Sequence, residues 1–171
     1  MKLIIGLGNP GEKYLFTRHN LGFLFLNFLQ ETWNFPSFEK NEKFQAQMSK
    51  NNETILIKPQ TFMNLSGEAV RDILKFYKLT PGDILVIHDD IDIDSGKYKI
   101  VSDSSSAGHN GIKDIIEKLG TQEFQRVRIG IKNDQLKNPL EPADFVLQNF
   151  SEEELEKIKK LFPEIEKEIV A

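Results

Sequence analysis

Lys2-Leu3-Ile4-Ile5-Gly6-Leu7-Gly8-Asn9-Pro10-Gly11 opens the chain and sets its architecture. Leu3, Ile4, Ile5 and Leu7 make Lys2–Leu7 a continuous apolar run, the pattern of a strand buried on both faces. Gly8-Asn9-Pro10-Gly11 then turns the chain. A second run of this kind, Asp83–His88, carries Ile84, Leu85, Val86 and Ile87 and follows the break at Pro81-Gly82. Between the two, Leu21–Trp33 has apolar residues round most of a helix, with Asn20 placed to cap it. Phe44–Ser49 and Thr54–Lys58 flank Lys50-Asn51-Asn52-Glu53 as a hairpin. Gly67–Tyr77 is a helix with Val70, Ile73, Leu74 and Tyr77 on one face and Ser66 as its expected N-cap.

Beyond Asp83–His88 the spacing predicts a short strand over Lys97–Val101 and a small polar loop over Ser102–Gly108. An amphipathic helix over Asn110–Leu119 and a strand over Arg126–Ile131 follow. That strand turns Val127, Ile129 and Ile131 to one side and Arg126 and Arg128 to the other. Asp134–Pro142 reads as a loop with two prolines, and Phe145–Phe150 as a short apolar segment. Ser151 caps a charged helix, Glu152–Leu161, and Pro163 with Glu164–Val170 forms at most a short extra turn. Alternating strands and helices with one hairpin inserted predict an α/β fold. Residues 1–171 are expected to form a single three-layer domain, its twisted, mixed, mostly parallel sheet flanked by helices.

The chain has 171 residues, enough for a sizeable core, and 39% hydrophobic with 28% charged residues is ordinary for a soluble domain. There is no cysteine, which excludes disulfides, thiolate metal sites and a Cys nucleophile and fits a reducing compartment, the cytoplasm. Met1-Lys2 leads straight into the first strand, with no signal-peptide pattern, and no apolar run approaches the ~18 residues of a membrane span. The net charge of −4 argues against a nucleic-acid partner, but its distribution does not. Residues 151–171 hold seven acids and four bases, whereas residues 97–137 hold eight bases and five acids. The latter can present a basic face.

Two local matches point to ligands and fail in context. Gly6 to Gly11 fits G-x-G-x-x-G, but the dinucleotide fingerprint needs a helix opening in the loop and an acidic residue closing a second strand about 20 residues on. Here Gly11 leads into Glu12-Lys13-Tyr14, and Glu31 lies inside a helix. Asp90-Ile91-Asp92-Ile93-Asp94-Ser95-Gly96 resembles a calcium loop, but its Gly comes one place late and Val101 stands where the bidentate Glu belongs. It reads as an acidic turn after a buried strand.

A third constellation holds together. Thr61-Phe62-Met63-Asn64-Leu65-Ser66-Gly67 is a polar loop between two rigid elements, where binding and chemistry tend to sit. His19, just before the first helix, is a candidate base, because an unperturbed imidazole titrates near neutrality. Asp89, at the end of a buried strand, can orient it. Asn9, Asn64 and Asp89 all follow strands, and open α/β sheets collect ligands at that edge. Asn110 either caps the helix it begins or presents an amide to a carbonyl or phosphate.

Gly6-Leu7-Gly8-Asn9-Pro10-Gly11, Tyr14, Thr17-Arg18-His19-Asn20, Pro59 to Gly67, His88-Asp89-Asp90, Gly108-His109-Asn110-Gly111 and Arg126 to Ile131 together resemble bacterial peptidyl-tRNA hydrolase. The resemblance runs in order from Met1 to about Phe150. It implies hydrolysis of the ester joining a peptide to tRNA, recycling the tRNA, with no cofactor and no metal. It assigns His19 as the base, Asp89 as its stabiliser and Asn9 to the separation of peptidyl-tRNA from aminoacyl-tRNA. Positions matching Tyr14, Phe62, Asn64 and Asn110 would contact substrate, and Met63 would line the peptide cleft. Lys97, Lys99, Lys113 and Arg128 would meet the tRNA phosphates. A monomer in the cytoplasm is expected.

Two features depart from the family pattern. Ser102-Asp103-Ser104-Ser105-Ser106-Ala107 replaces a usually glycine-rich loop, and the C-terminus is short and acidic. The competing expectations are a non-enzymatic RNA-binding relative of the same fold and a nucleotide-dependent oxidoreductase.

Overall fold

Lys2–Gly6 (β1) lies at the centre of the sheet, parallel to Thr54–Pro59 (β4) on one side and Ile84–Asp94 (β5) on the other. The computed structural model describes residues 1–137 and 141–171. Gln125–Lys132 (β7) adds to β5, again in parallel, and Tyr98–Val101 (β6) closes that edge antiparallel. At the opposite edge Ala46–Lys50 (β3) and the short Glu39–Asn41 (β2) run antiparallel to their neighbours. The sheet is therefore mixed, as expected: four parallel strands with antiparallel margins, in the order β2-β3-β4-β1-β5-β7-β6.

Helices Leu21–Thr32 (α1) and Glu152–Val170 (α5) cover one face, and Ser66–Tyr77 (α2) and Asn110–Leu119 (α3) the other. Alternation along β1 divides the core accordingly. Ile4 faces Phe25, Leu26 and Phe162, while Leu3 and Ile5 face Val70, Ile73 and Ile115. Gly22 lets α1 rest directly on the sheet. A Cβ there would fall 2.3 Å from the Leu7 amide nitrogen and 2.5 Å from the Ile87 carbonyl oxygen. Those two atoms are themselves hydrogen-bonded at 3.0 Å, so neither can give way. Gly22→Ala is expected to lower stability by roughly 1–3 kcal/mol, seen as a lower urea midpoint with an unchanged slope. An unchanged midpoint would contradict this packing.

Several expectations are corrected. The acidic stretch after Asp89 is not a turn: Asp90–Asp94 continues β5. Its alternating Asp and Ile residues have the strand period, and Ile93 is buried. Gly130 admits the close approach, since a Cβ there would lie 2.2 Å from the Asp94 carbonyl oxygen. The last helix does not stop at Leu161 but runs through Pro163 to Val170. Phe162 and Ile165 bury on the α1 side, which offsets the roughly 3 kcal/mol an interior proline costs. The segment read as a loop from Asp134 to Pro142 begins with a 3-10 turn, Asp134–Lys137, and ends where a short helix starts, Pro142–Val146 (α4). Its residues 138–140 lie outside the described residues. Asn20 and Ser66 flank or begin helices as expected, but neither side chain caps one. Both are spent at the site.

Candidate active site

Thr17-Arg18-His19-Asn20 forms a buried 3-10 turn leading into α1, and its last three residues each tie down a different element. Arg18, 2% exposed, lays its guanidinium across the Phe145 ring, donates to Glu154 of α5 through two nitrogens at 3.0 and 2.9 Å, and reaches the Phe145 carbonyl of α4. Asn20 clamps the loop after β1: its Oδ1 accepts from the Asn9 amide at 2.8 Å and its Nδ2 donates to the Asn9 carbonyl at 2.9 Å. His19, between them, meets Asp89 through Nδ1 at 2.9 and 3.0 Å. Asp89 lies on β5, two residues beyond Ile87, where pairing with Gly6 ends β1.

The structure adds a residue that sequence reasoning left out. His109 Nε2 lies 3.0 Å from Asp89 Oδ1, so the carboxylate holds two imidazoles. The tautomers follow from the hydrogen-bond network. His109 Nδ1 accepts the Ile112 backbone N–H at 3.3 Å, which leaves the proton on Nε2 to donate to Asp89. His19 presents Nδ1–H to the same carboxylate, so its Nε2 carries the free lone pair. The signal for His109 was present in Gly108-His109-Asn110-Gly111, but reading Asn110 as cap or ligand concealed it. His109 is the N-cap, and Asn110 is exposed at the first position of α3.

Electrostatics separate the three histidines. Burial pulls His19 down, but the Asp89 charge and hydrogen bond outweigh it and raise its pKa above 6.5. Burial is the largest influence on His109 too, and the nearby His19 adds to it, so its pKa falls despite Asp89. His88 is wholly buried beside His109, donates from Nδ1 to the Asp89 carbonyl at 2.7 Å, and is held well below the ordinary range by burial and by that neighbour. Burial opposes ionisation of Asp89, yet its two imidazole partners keep its carboxyl well below the usual range. His19 is thus the one histidine of the three tuned upward. The donor atoms of His19, Asp89 and His109 lie within 4.8 Å of one another, a spacing that would accept a metal ion, although here the three groups satisfy one another.

These groups face a cleft of about 310 Å³ between the loop Ser106–Asn110 and the start of α4, with Ile91, Pro142 and Val146 as apolar wall. Arg126, fully buried, holds the serine-rich loop above it by donating to the carbonyls of Ser104 at 2.6 Å and Ser105 at 2.9 Å. The remaining site residues fall in three groups. Asn9 Oδ1 accepts from the Met63 amide at 2.8 Å, which leaves its Nδ2 as a donor without a partner among the described residues. Ser66 donates to the Met63 carbonyl, and the buried Met63 side chain fits against Gly111. Phe62 has φ 59° and ψ 157°, a conformation costing a non-glycine residue roughly 1–3 kcal/mol. It holds the ring 55% exposed, edge-on to Tyr14. Asn64 is exposed beside it. The third group is basic: Lys99 on β6 stands opposite Arg128 on β7, with Lys113 exposed on α3. Arg128 is shared with Asp90 at 2.7 Å. No helix opens at Gly8 to Gly11, which removes the dinucleotide reading.

A three-layer α/β fold that turns a carboxylate-held imidazole toward a cleft, with free amides beside it and no cysteine, has the make-up of a hydrolase acting through water. The family model for peptidyl-tRNA hydrolase matches residues 3–171, and the chain belongs to that family. It is 46% identical over 157 residues to the peptidyl-tRNA hydrolase of Bacillus cereus strain Q1, covering 91% of this chain and 83% of the relative. It is likewise 46% identical over 154 residues to that of Brevibacillus brevis, covering 88% and 79%. The crystal structure of the Acinetobacter baumannii peptidyl-tRNA hydrolase superposes with a TM-score of 0.86 at 33% identity, over 95% of this chain and 83% of that one.

Proposed function

We propose that this chain hydrolyses the ester between peptide and tRNA in ribosome-free peptidyl-tRNA, with His19 as the general base. The observation that carries the reading is the His19–Asp89 contact at 2.9 Å in the wall of the cleft, which engages Nδ1 and leaves Nε2 for a water. An ester is already activated, so water and a positioned base suffice and no covalent nucleophile is needed. His19 Nε2 takes a proton from water as the oxygen attacks the acyl carbon. Asp89 holds the tautomer and stabilises the imidazolium, the orienting role of a triad. An amide aimed at the tetrahedral oxyanion is worth roughly 10²–10³-fold, and Asn9 and Asn64 are the candidate donors. The imidazolium then returns its proton to the leaving 3′ oxygen of the ribose.

Tyr14, Phe62, Met63, Asn64 and Asn110 are assigned to substrate contact; Asn110 lines the cleft with His19. Lys99, Lys113 and Arg128 supply the basic surface for tRNA phosphates. The reading includes a single-domain monomer acting in the cytoplasm, where peptidyl-tRNA arises. One seven-stranded sheet and the absence of cysteine support it, and among the described residues no helix is long and apolar enough to cross a membrane. The test is hydrolysis of N-acetyl-aminoacyl-tRNA beside unblocked aminoacyl-tRNA. Cleavage of the blocked ester alone is expected. Binding of both without cleavage would establish the RNA-binding relative instead.

A further inference from the structure

Lys58 is the buried lysine among the described residues, and its surroundings lack what a buried ammonium normally requires. It is 7% exposed on β4, its side chain turned toward α1. Lysine is rarely buried without a charged partner, because desolvating an ammonium costs several kcal/mol. Its hydrogen-bond partner is the neutral Asn27 Oδ1, and it sits 3.8 Å above the Phe38 ring. Among the described residues no carboxylate lies within 4.0 Å of it. Burial brings the ammonium down to about 8, and no acidic group restores it.

Lys58 is also not sealed in. It lies in the wall of a cavity of about 180 Å³ between the loop after β1, α1 and β4, shared with Asn9, Asn20, Phe23, Asn27 and Gln60. Sites that enclose a whole small molecule run to roughly 300–1,000 Å³, so this one takes a side chain. Asn9 and Asn20 belong at once to this cavity and to the clamp beside His19. The cavity therefore adjoins the turn that carries His19.

We propose that this cavity is a carboxylate subsite, in which the Lys58 ammonium receives an acidic side chain of the peptide on peptidyl-tRNA. The assignment rests on the hydrolase reading and adds a substrate preference to it. Two Lys58 N–H donors remain after the Asn27 contact, and a carboxylate supplies the missing counter-charge with acceptors for both. The aromatic and aliphatic wall carries the methylenes of Asp or Glu. The preference belongs to the protonated lysine, so it fades as pH rises through about 8.

The test pairs N-acetyl-peptidyl-tRNAs that differ as Glu against Gln at the residue before the esterified one, or at the next residue back. In the wild type the Glu substrate is expected to show a KM roughly tenfold lower at one of these positions, the scale of a hydrogen bond to a charged group. In Lys58→Met the difference disappears while kcat on the Gln substrate is retained, and Lys58→Arg restores part of it. A second measurement is independent of catalysis: NMR of the Lys58 side chain with added acetate, which raises its titration midpoint where the cavity binds a carboxylate. A shift without any Glu preference assigns the cavity to free small carboxylates and overturns the peptide assignment. Neither preference nor shift overturns the subsite altogether. If the wild type cleaves neither substrate, the hydrolase reading falls and the acetate shift alone decides the site.

Discussion

His19→Ala is expected to lower kcat/KM for N-acetyl-aminoacyl-tRNA by roughly 10²–10⁴-fold, the contribution of a positioned base. The effect should appear in kcat, because the proton transfer occurs only in the transition state, while KM changes little. Folding should survive the change. Among the described residues the His19 side chain hydrogen-bonds to Asp89, and the same Asp89 keeps His109 as a partner. The neighbours that lock the turn, Arg18 on Glu154 and Asn20 on Asn9, remain. Stopped-quench rates with a tRNA-binding assay separate the possibilities. A large rise in KM with kcat intact would make His19 a binding residue and remove it from the chemistry.

Asp89→Asn changes both the rate and its pH dependence, and the second is the more diagnostic. The base works as neutral imidazole, so activity rises as pH passes upward through the His19 pKa. In the wild type that pKa lies above 6.5, because the Asp89 charge and hydrogen bond together outweigh burial. Asparagine removes the charge and leaves burial, which favours the neutral ring. The acid limb of the profile should therefore move to lower pH, even as the maximal rate falls. The fall follows from losing the partner that stabilises the imidazolium and fixes its tautomer. A fall in rate with the limb unmoved would mean that Asp89 positions another group.

Much of this was legible from residue types in order, because buried strands and helix periods are local signals. The runs Leu3–Leu7 and Ile84–Ile87 placed the parallel centre, and the turn after the first placed Asn9, whereas Asp89 lies within a strand that runs on to Asp94. What escaped depended on partners distant in the chain. Asn20 has the residue type and position of a cap, yet its carboxamide fits two backbone groups of Asn9 at once. Ser66 likewise turns back to Met63, and the amide of Gly67 is taken by Asp114 from α3. His109 was read past because a histidine before a helix has a sufficient local explanation. Its contact with Asp89 arises only when α3 docks beside β5. Pro163 signalled a helix end, and packing of Phe162 and Ile165 overrode it.

The most direct test of His19 as the base uses the chain's three histidines as their own reporters. The ring resonances of His19, His88 and His109 are titrated by NMR in the free protein, beside the pH profile of kcat/KM, which reports the free enzyme's base. The account predicts that the acid limb coincides with the His19 midpoint, above 6.5, with His88 and His109 titrating lower. A limb that follows His109, or a rate indifferent to pH while His19 titrates, would contradict it.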